Sequence, residues 1–255
     1  MPELGLLDQC ASITKTGYSG KLLFSTYSRI MEFDFDTYSA TVLLELESTH
    51  VFAYPSNNRA LQTVVQSLSH PTGIGVDSAN DHLYWIDNGR YQLSRCNLDG
   101  SNVTVLSTFI SPWVIRLDVT KRWMYIVERS TGILKSRFDL SDRRTIVNFT
   151  STPVYCMDID TEENKLYWIN YDGEMKSCKD DGSDVKIILS THVRRSYYAI
   201  RVVGSYIYYG NGNQLLMVNK SQGSKPTVLY NDTQSIGSLY VFNQSGILTT
   251  IYNHE

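Results

Sequence analysis

A step of 41 residues runs through this 255-residue chain and constrains its fold more than any other feature. Thr63, Thr104, Thr145, Lys186 and Thr227 lie 41 apart, each followed by two apolar residues. Tyr84, Tyr125, Tyr167 and Tyr208 step by 41, 42 and 41. Asp77, Asp118 and Asp160 each precede the tyrosine of their repeat by seven residues, and Pro71, Pro112 and Pro153 keep the 41-residue step. Within one period, residues 71–106, four short apolar runs are separated by turn residues, among them Asn88-Gly89 and Asp99-Gly100. Four such runs read as a four-stranded antiparallel meander. A lone sheet of this kind would leave both faces wet, so it needs copies of itself on either side. A period near 40 with four strands per unit signals an all-β propeller of radially packed blades. A helical repeat of that length would need apolar spacing at i, i+3 and i+4, which these segments lack.

The second run of each unit reads Tyr84-Trp85-Ile86-Asp87, Tyr125-Ile126-Val127-Glu128, Tyr167-Trp168-Ile169-Asn170 and Tyr208-Tyr209-Gly210-Asn211. This resembles the YWTD repeat of low-density-lipoprotein-receptor-type propellers, found also in Wnt co-receptors, nidogen and the epidermal growth factor precursor. Residues 73–77 are similar to that family's "GLAVD" strand and residues 98–101 to its "LDGS" turn, and the resemblance covers roughly residues 22–243. It implies a six-bladed template in which the last residue of the motif ties a blade to its neighbour through hydrogen bonds. Only the first copy keeps the Asp, Asp87, and none keeps the Thr. Asn170 and Asn211 can still form such bonds; Glu128 is the copy in question.

Residues 22–26 align with 83–87, so the chain enters the ring at the second strand of a blade. Residues 236–242 match a first strand, so the two ends complete one blade between them. Closing the ring removes the open edges that invite aggregation. One repeat is short: Thr41 to Thr63 is 22 residues, and residues 50–54 and 61–65 match only third and fourth strands. The expectation is five complete four-stranded blades plus an orphan hairpin. Residues 1–20 read as a lead-in, 21–245 as the propeller and 246–255 as a C-terminal tail.

Hydrophobic residues at 42%, with 18 Tyr and 4 Trp, suit strands buried on both faces. A net charge of −3 argues against a nucleic-acid partner. No run approaches the eighteen apolar residues of a membrane span, so no insertion of this chain into a membrane is expected. Residues 1–8 lack the basic and apolar regions of a signal peptide, which reads as a fragment or partial isoform. Five sequons, at Asn102, Asn148, Asn219, Asn231 and Asn243, offer glycosylation sites. Together with the resemblance they favour a secreted or ectodomain setting.

No catalytic, nucleotide-binding or Ca²⁺-loop motif is present, and neither a metal nor a cofactor is expected. His50, His70, His82, His192 and His254 share no ligand spacing, and the acidic clusters Glu162-Glu163 and Asp180-Asp181-Asp184 fall in predicted turns. Directly after the proline position of successive repeats stand Thr72, Trp113, Val154 and Arg195, each 41 apart. In a propeller these residues ring the channel mouth, beside Arg90 and Arg129 from the turns between second and third strands. Trp and Arg dominate binding interfaces; the competing reading packs Trp113 between blades. The resemblance implies that protein ligands or neighbouring modules of the parent protein engage this face. The first reading is therefore a non-catalytic extracellular binding module of a lipoprotein-receptor-like protein. The alternatives are a structural matrix propeller like that of nidogen, or, further off, a Ca²⁺-dependent propeller enzyme of the lactonase type. The enzyme needs inward-facing oxygen ligands that the first strands do not offer. Cys96, Cys156 and Cys178 are expected as free thiols. Cys156 and Cys178 fall on the first and third strands of one blade, roughly 9.6 Å apart, beyond the Cα separation of about 7 Å that a disulfide spans.

Overall fold

The computed structural model describes residues 21–25, 29–34, 39–45, 51–54, 62–65, 68–149, 152–195, 199–221, 223–242 and 248–251. Residues 1–20 with Cys10, together with His50, Tyr197, Asn243 and His254, lie outside the described residues. The first described strands are β1 (Lys21–Ser25), β2 (Arg29–Asp34) and β3 (Ser39–Glu45), then the hairpin β4 (Val51–Tyr54) and β5 (Gln62–Val65). Four meanders follow. The first is β6 (Pro71–Asp77), β7 (His82–Asp87), β8 (Gln92–Asn97) and β9 (Thr104–Thr108). The second is β10 (Pro112–Asp118), β11 (Trp123–Glu128), β12 (Gly132–Arg137) and β13 (Arg144–Asn148). The third is β14 (Val154–Asp160), β15 (Lys165–Asn170), β16 (Glu174–Lys179) and β17 (Lys186–Ser190). The fourth is β18 (Ile200–Val203), β19 (Tyr206–Asn211), β20 (Gln214–Asn219) and β21 (Thr227–Asn231). The last described strands are β22 (Ser238–Phe242) and β23 (Leu248–Ile251).

These strands form five four-stranded sheets and one three-stranded sheet. Blade 1 is ordered β22-β1-β2-β3, blade 2 is β23-β4-β5, and blades 3 to 6 are the four meanders in order. The closure read from the sequence is present: β22 pairs antiparallel with β1, from Lys21↔Phe242 to Ser25↔Ser238. The hairpin expected to stand alone does not. β23, from within the expected tail, pairs with β4 from Leu248↔Tyr54 to Ile251↔Val51 and packs beside β6. It covers an edge of β4 that would otherwise present unpaired N–H and C=O groups.

The core lies between blades, and period-2 alternation along the second strands builds it. Tyr84, Ile86 and Leu93 of blade 3 pack on Ile115, Met124 and Ile126 of blade 4, whereas Trp85 turns back towards Val65 of blade 2. Tyr125 and Val127 face Met157 and Trp168 of blade 5, and Tyr167 and Ile169 face Ile207 and Tyr209 of blade 6. Each motif tyrosine thus faces the next blade and its successor faces the previous one. Burying one such side chain stabilises by roughly 1.5–3 kcal/mol. Cys96, Cys156 and Cys178 are buried in these layers as free thiols.

Ion pairs stitch the same seams. Arg122 of blade 4 donates to both oxygens of Asp77 of blade 3 at 2.7 Å. Lys135 of blade 4 donates to the carboxylate and backbone carbonyl of Asp180 of blade 5, at 2.8 and 2.9 Å. Lys220 of blade 6 reaches Asp160 and Glu163 of blade 5.

Candidate binding face

The turns between second and third strands and the connections between blades meet at one end of the ring. Their backbones are laced together in a repeated way. Val154 N donates to Arg129 O at 2.8 Å, Arg195 N to Tyr171 O at 3.1 Å, and Ile236 N to Gly212 O at 2.8 Å. In each case the residue entering a blade donates to a turn of the blade before it.

The last motif position supports this lacing, with a different set of residues from the one expected. Asp87 accepts from Ser69 N and His70 N on the incoming connection, at 2.9 and 2.8 Å, and also from Arg90 at 3.0 Å. Glu128, the copy in question, has the equivalent role: its Oε1 accepts from Ile110 N at 2.7 Å, again eighteen residues upstream. The extra methylene is absorbed without loss of the bond. Asn170 instead bonds locally, accepting from Glu174 N and donating to the Glu174 carboxylate, both at 2.9 Å. Asn211 Oδ1 is buried without a hydrogen-bond partner among the described residues.

The six residues expected on the binding face are only partly brought together. First strands carry a bulge at Thr72, at Trp113 and at Tyr155, because the register skips one residue at each. The repeat containing Tyr167 is 42 residues long, so Tyr155, not Val154, is the structural counterpart of Trp113. Val154 pairs with Asn170, as Pro112 pairs with Glu128, and is fully buried. Trp113 is only 6% exposed. Its ring lies 5.4 Å from Tyr155 and 5.8 Å from His70, and the Arg129 guanidinium sits 5.2 Å above it. Arg129 also covers Tyr155 at 5.5 Å. Trp113 and Arg129 therefore form one aromatic–cation cluster at the channel mouth, with Arg129 as its outer layer. Arg90 is exposed on Asp87. Arg195 stands apart: its guanidinium lies over Gly212, where a Cβ would come within 2.7 Å of it. The neighbouring Arg194 is exposed and paired with Asp172 at 2.9 Å.

Sequence reasoning passed over two residues on this face. Tyr91 is 55% exposed and Ile110 is 73% exposed. They are neighbours, because Phe109 N donates to Tyr91 O at 2.9 Å and Ile110 follows directly. An apolar residue in a connection that should be polar was the available signal. Of the sequons, Asn102, Asn148 and Asn231 are exposed and Asn219 is half-buried. Among the described residues no three His, Cys, Asp or Glu side chains converge as a metal site, and no helix is long and apolar enough to cross a membrane.

The repeat, the ring and the tyrosine layers define a β-propeller of YWTD-type repeats, the type found in the low-density-lipoprotein-receptor family. Comparison with known proteins agrees. The chain is 25% identical over 203 residues to the vitellogenin receptor of Solenopsis invicta, an alignment covering 74% of this chain and 11% of the receptor. It thus spans about a tenth of the length of that relative. Its fold matches a chain in the crystal structure of a nidogen/laminin complex with a TM-score of 0.74, at 14% identity, covering 87% of this chain and 97% of the other. No family model matches.

Proposed function

We propose that this chain is an extracellular, non-catalytic interaction module of a receptor, engaging protein ligands on the face at the channel mouth. The observation that carries the reading is the exposed apolar pair Tyr91 and Ile110 on the rim that also carries Arg90 and Arg129, with Arg90 next in sequence to Tyr91 and Arg129 N donating to Ser111 O at 3.1 Å. Solvent-exposed apolar area next to arginine is the composition of an interface centre. Trp113 acts from beneath by holding Arg129 in place, while Thr72 and Arg195 extend the face around the mouth. Glycans at Asn102, Asn148, Asn219, Asn231 and Asn243 would fit the extracellular setting, and the module extends past the expected boundary at 245 to take in β23, so that it runs from residue 21 to 251. A matrix role is the second reading, favoured by the match to a chain of a nidogen/laminin complex; it predicts one constitutive partner in place of exchanging ligands.

The test captures extracellular proteins on the immobilised chain and compares Ile110→Asp and Arg195→Glu with the distal control Arg144→Glu. Loss of a hot spot costs about 2 kcal/mol, roughly thirtyfold in affinity. Partners should be lost from the two face variants and kept by the control. Partners that bind all four proteins equally would place the interface elsewhere.

A further inference from the structure

The outer strands of blades 3 to 6 are β9, β13, β17 and β21, and each is the last strand of its sheet, with one backbone edge unpaired among the described residues. Three of the four are guarded where they begin. β13 opens on Arg144, with the exposed Arg143 directly before it. At the start of β17 the exposed Val185 and Ile187 alternate with Asp184 and Lys186. β21 is preceded by Lys225 and Pro226. Charge and proline at an edge are the means by which proteins keep their strands from pairing with those of another molecule.

β9 has neither. Residues 101–110 contain no charged side chain and no proline, and Val103 and Val105 are 57% and 52% exposed. Arg95 of the neighbouring strand lies opposite Thr104, so by alternation it is on the other face of the sheet from both valines. An uncharged, β-prone run without proline on an open edge is the composition that pairs edge to edge.

What stands at the start of β9 is a sequon. Asn102 is exposed, directly precedes Val103, and is followed by Thr104 at the required position. The other described sequon asparagines sit at strand ends: Asn148 closes β13, Asn231 closes β21 and Asn219 closes β20. Among the described residues Asn102 alone takes the place that charge or proline holds in blades 4 to 6. We propose that an N-linked glycan on Asn102 guards the outer edge of blade 3. The apolar ring faces of its first sugars lie over Val103 and Val105, and its bulk keeps a strand of a second copy of the chain off β9. In the attachment, Asn102 Nδ2 bonds to the anomeric carbon of a lipid-linked oligosaccharide; the lipid pyrophosphate leaves, and the amide gives up one proton. The inference rests on the extracellular reading, since the donor is met in the secretory pathway.

The test secretes the full chain from eukaryotic cells behind an added leader. Glycopeptide mass spectrometry reads occupancy at each sequon, and sedimentation velocity over a concentration series reads self-association. Asn102 should be occupied and the unaltered chain monomeric. Asn102→Gln should associate at a roughly tenfold lower concentration, the shift that re-burying one exposed valine supplies, whereas Asn148→Gln should not. Adding Val105→Lys to Asn102→Gln should restore both the monomer and the secreted yield, because a lysine then guards the edge in place of the sugar. Asn102 bare while other sequons carry glycans, an Asn102→Gln chain as monomeric as the unaltered one, or no rescue by Val105→Lys would each overturn the proposal. Bare asparagines at all five sequons would overturn the extracellular reading along with it.

Discussion

Replacing Gly182 by Ala tests how closely the rim of blade 5 is seated on blade 4. Gly182 lies in the turn between β16 and β17 with φ +88°, and a Cβ there would fall 1.9 Å from Ile146 O and 2.6 Å from its carbonyl carbon. The obstacle is the backbone of another blade's outer strand, which no side-chain rotation can relieve. Two costs add. An alanine at positive φ loses about 1–2 kcal/mol, and overpacking against fixed backbone about 1–3 kcal/mol more. Gly204 provides the reference, since its φ is +52° and nothing lies within 4 Å of an added Cβ. Gly204→Ala should therefore show the backbone cost alone. For a chain of this size 1 kcal/mol moves Tm by roughly 2–4 °C. Gly182→Ala should then melt about 4–20 °C lower and Gly204→Ala about 2–8 °C lower. Thermal unfolding followed by near-UV circular dichroism reads both, and equal shifts would refute the described contact between rim and strand.

Glu128→Ala should cost about 1–3 kcal/mol in urea unfolding, because it leaves Ile110 N without its acceptor; Asn170→Ala, which breaks only local bonds, should cost less, and the reverse order would count against the stapling role. Burial opposes ionisation of Asp77, yet Asn80 and Arg122 outweigh it and hold the carboxyl below its usual range. Its contribution to stability is then full above the unfolded carboxylate pKa, near 4, and is lost as pH falls through the lower folded value. Acid melting curves should show this loss, and Asp77→Asn should flatten it; identical curves would remove Asp77 from the account. Burial pushes the thiols up, Cys96 to about 11 and Cys156 and Cys178 to about 12, so all three should resist an aromatic disulfide reagent at pH 8 in the native protein. All three should react after unfolding without reductant, and fewer than two reactive thiols would contradict the free state. Removing residues 236–255 takes away both β22 and β23 and should abolish a single cooperative transition, whereas an unchanged melt would mean the ring does not depend on them.

The propeller was legible because its repeat is carried by residues whose burial is the same in each of blades 3 to 6. Tyr84, Tyr125 and Tyr167 face the next blade, and a turn residue follows each strand at nearly constant distance. β23 was not legible, since Leu248–Ile251 fills a gap and matches no repeat. The geometry of the candidate face was half legible. Spacing found the ring of residues at the mouth, but one extra residue before Tyr155 moved the equivalence off Val154. A large aromatic at a bulge was read as contact area, although Arg129 and two neighbouring rings cover it. The contacts of Arg116 and Arg201 with Asp158 were hidden by a shorter turn. The seven-residue spacing that aligns Asp77, Asp118 and Asp160 lands on Arg201 in the next repeat, whereas hairpin register places Arg201 level with Asp158.

The pairing of β1 with β22 and of β4 with β23 sets a timetable for synthesis. The first two sheets are begun by residues 21–65 and finished only by residues 238–251. Ribosomes add about 5–20 residues per second, so the roughly 200 residues between Glu45 and Phe242 take about 10–40 s to emerge. Through that interval the inner edges of β1 and β4 have no partner strand, while blades 3 to 5 can already stack on one another. The nascent chain is an open arc with two sticky ends, and factors that shield strand edges during synthesis would find their substrate there. The arrival of β22 and β23 turns the arc into a ring.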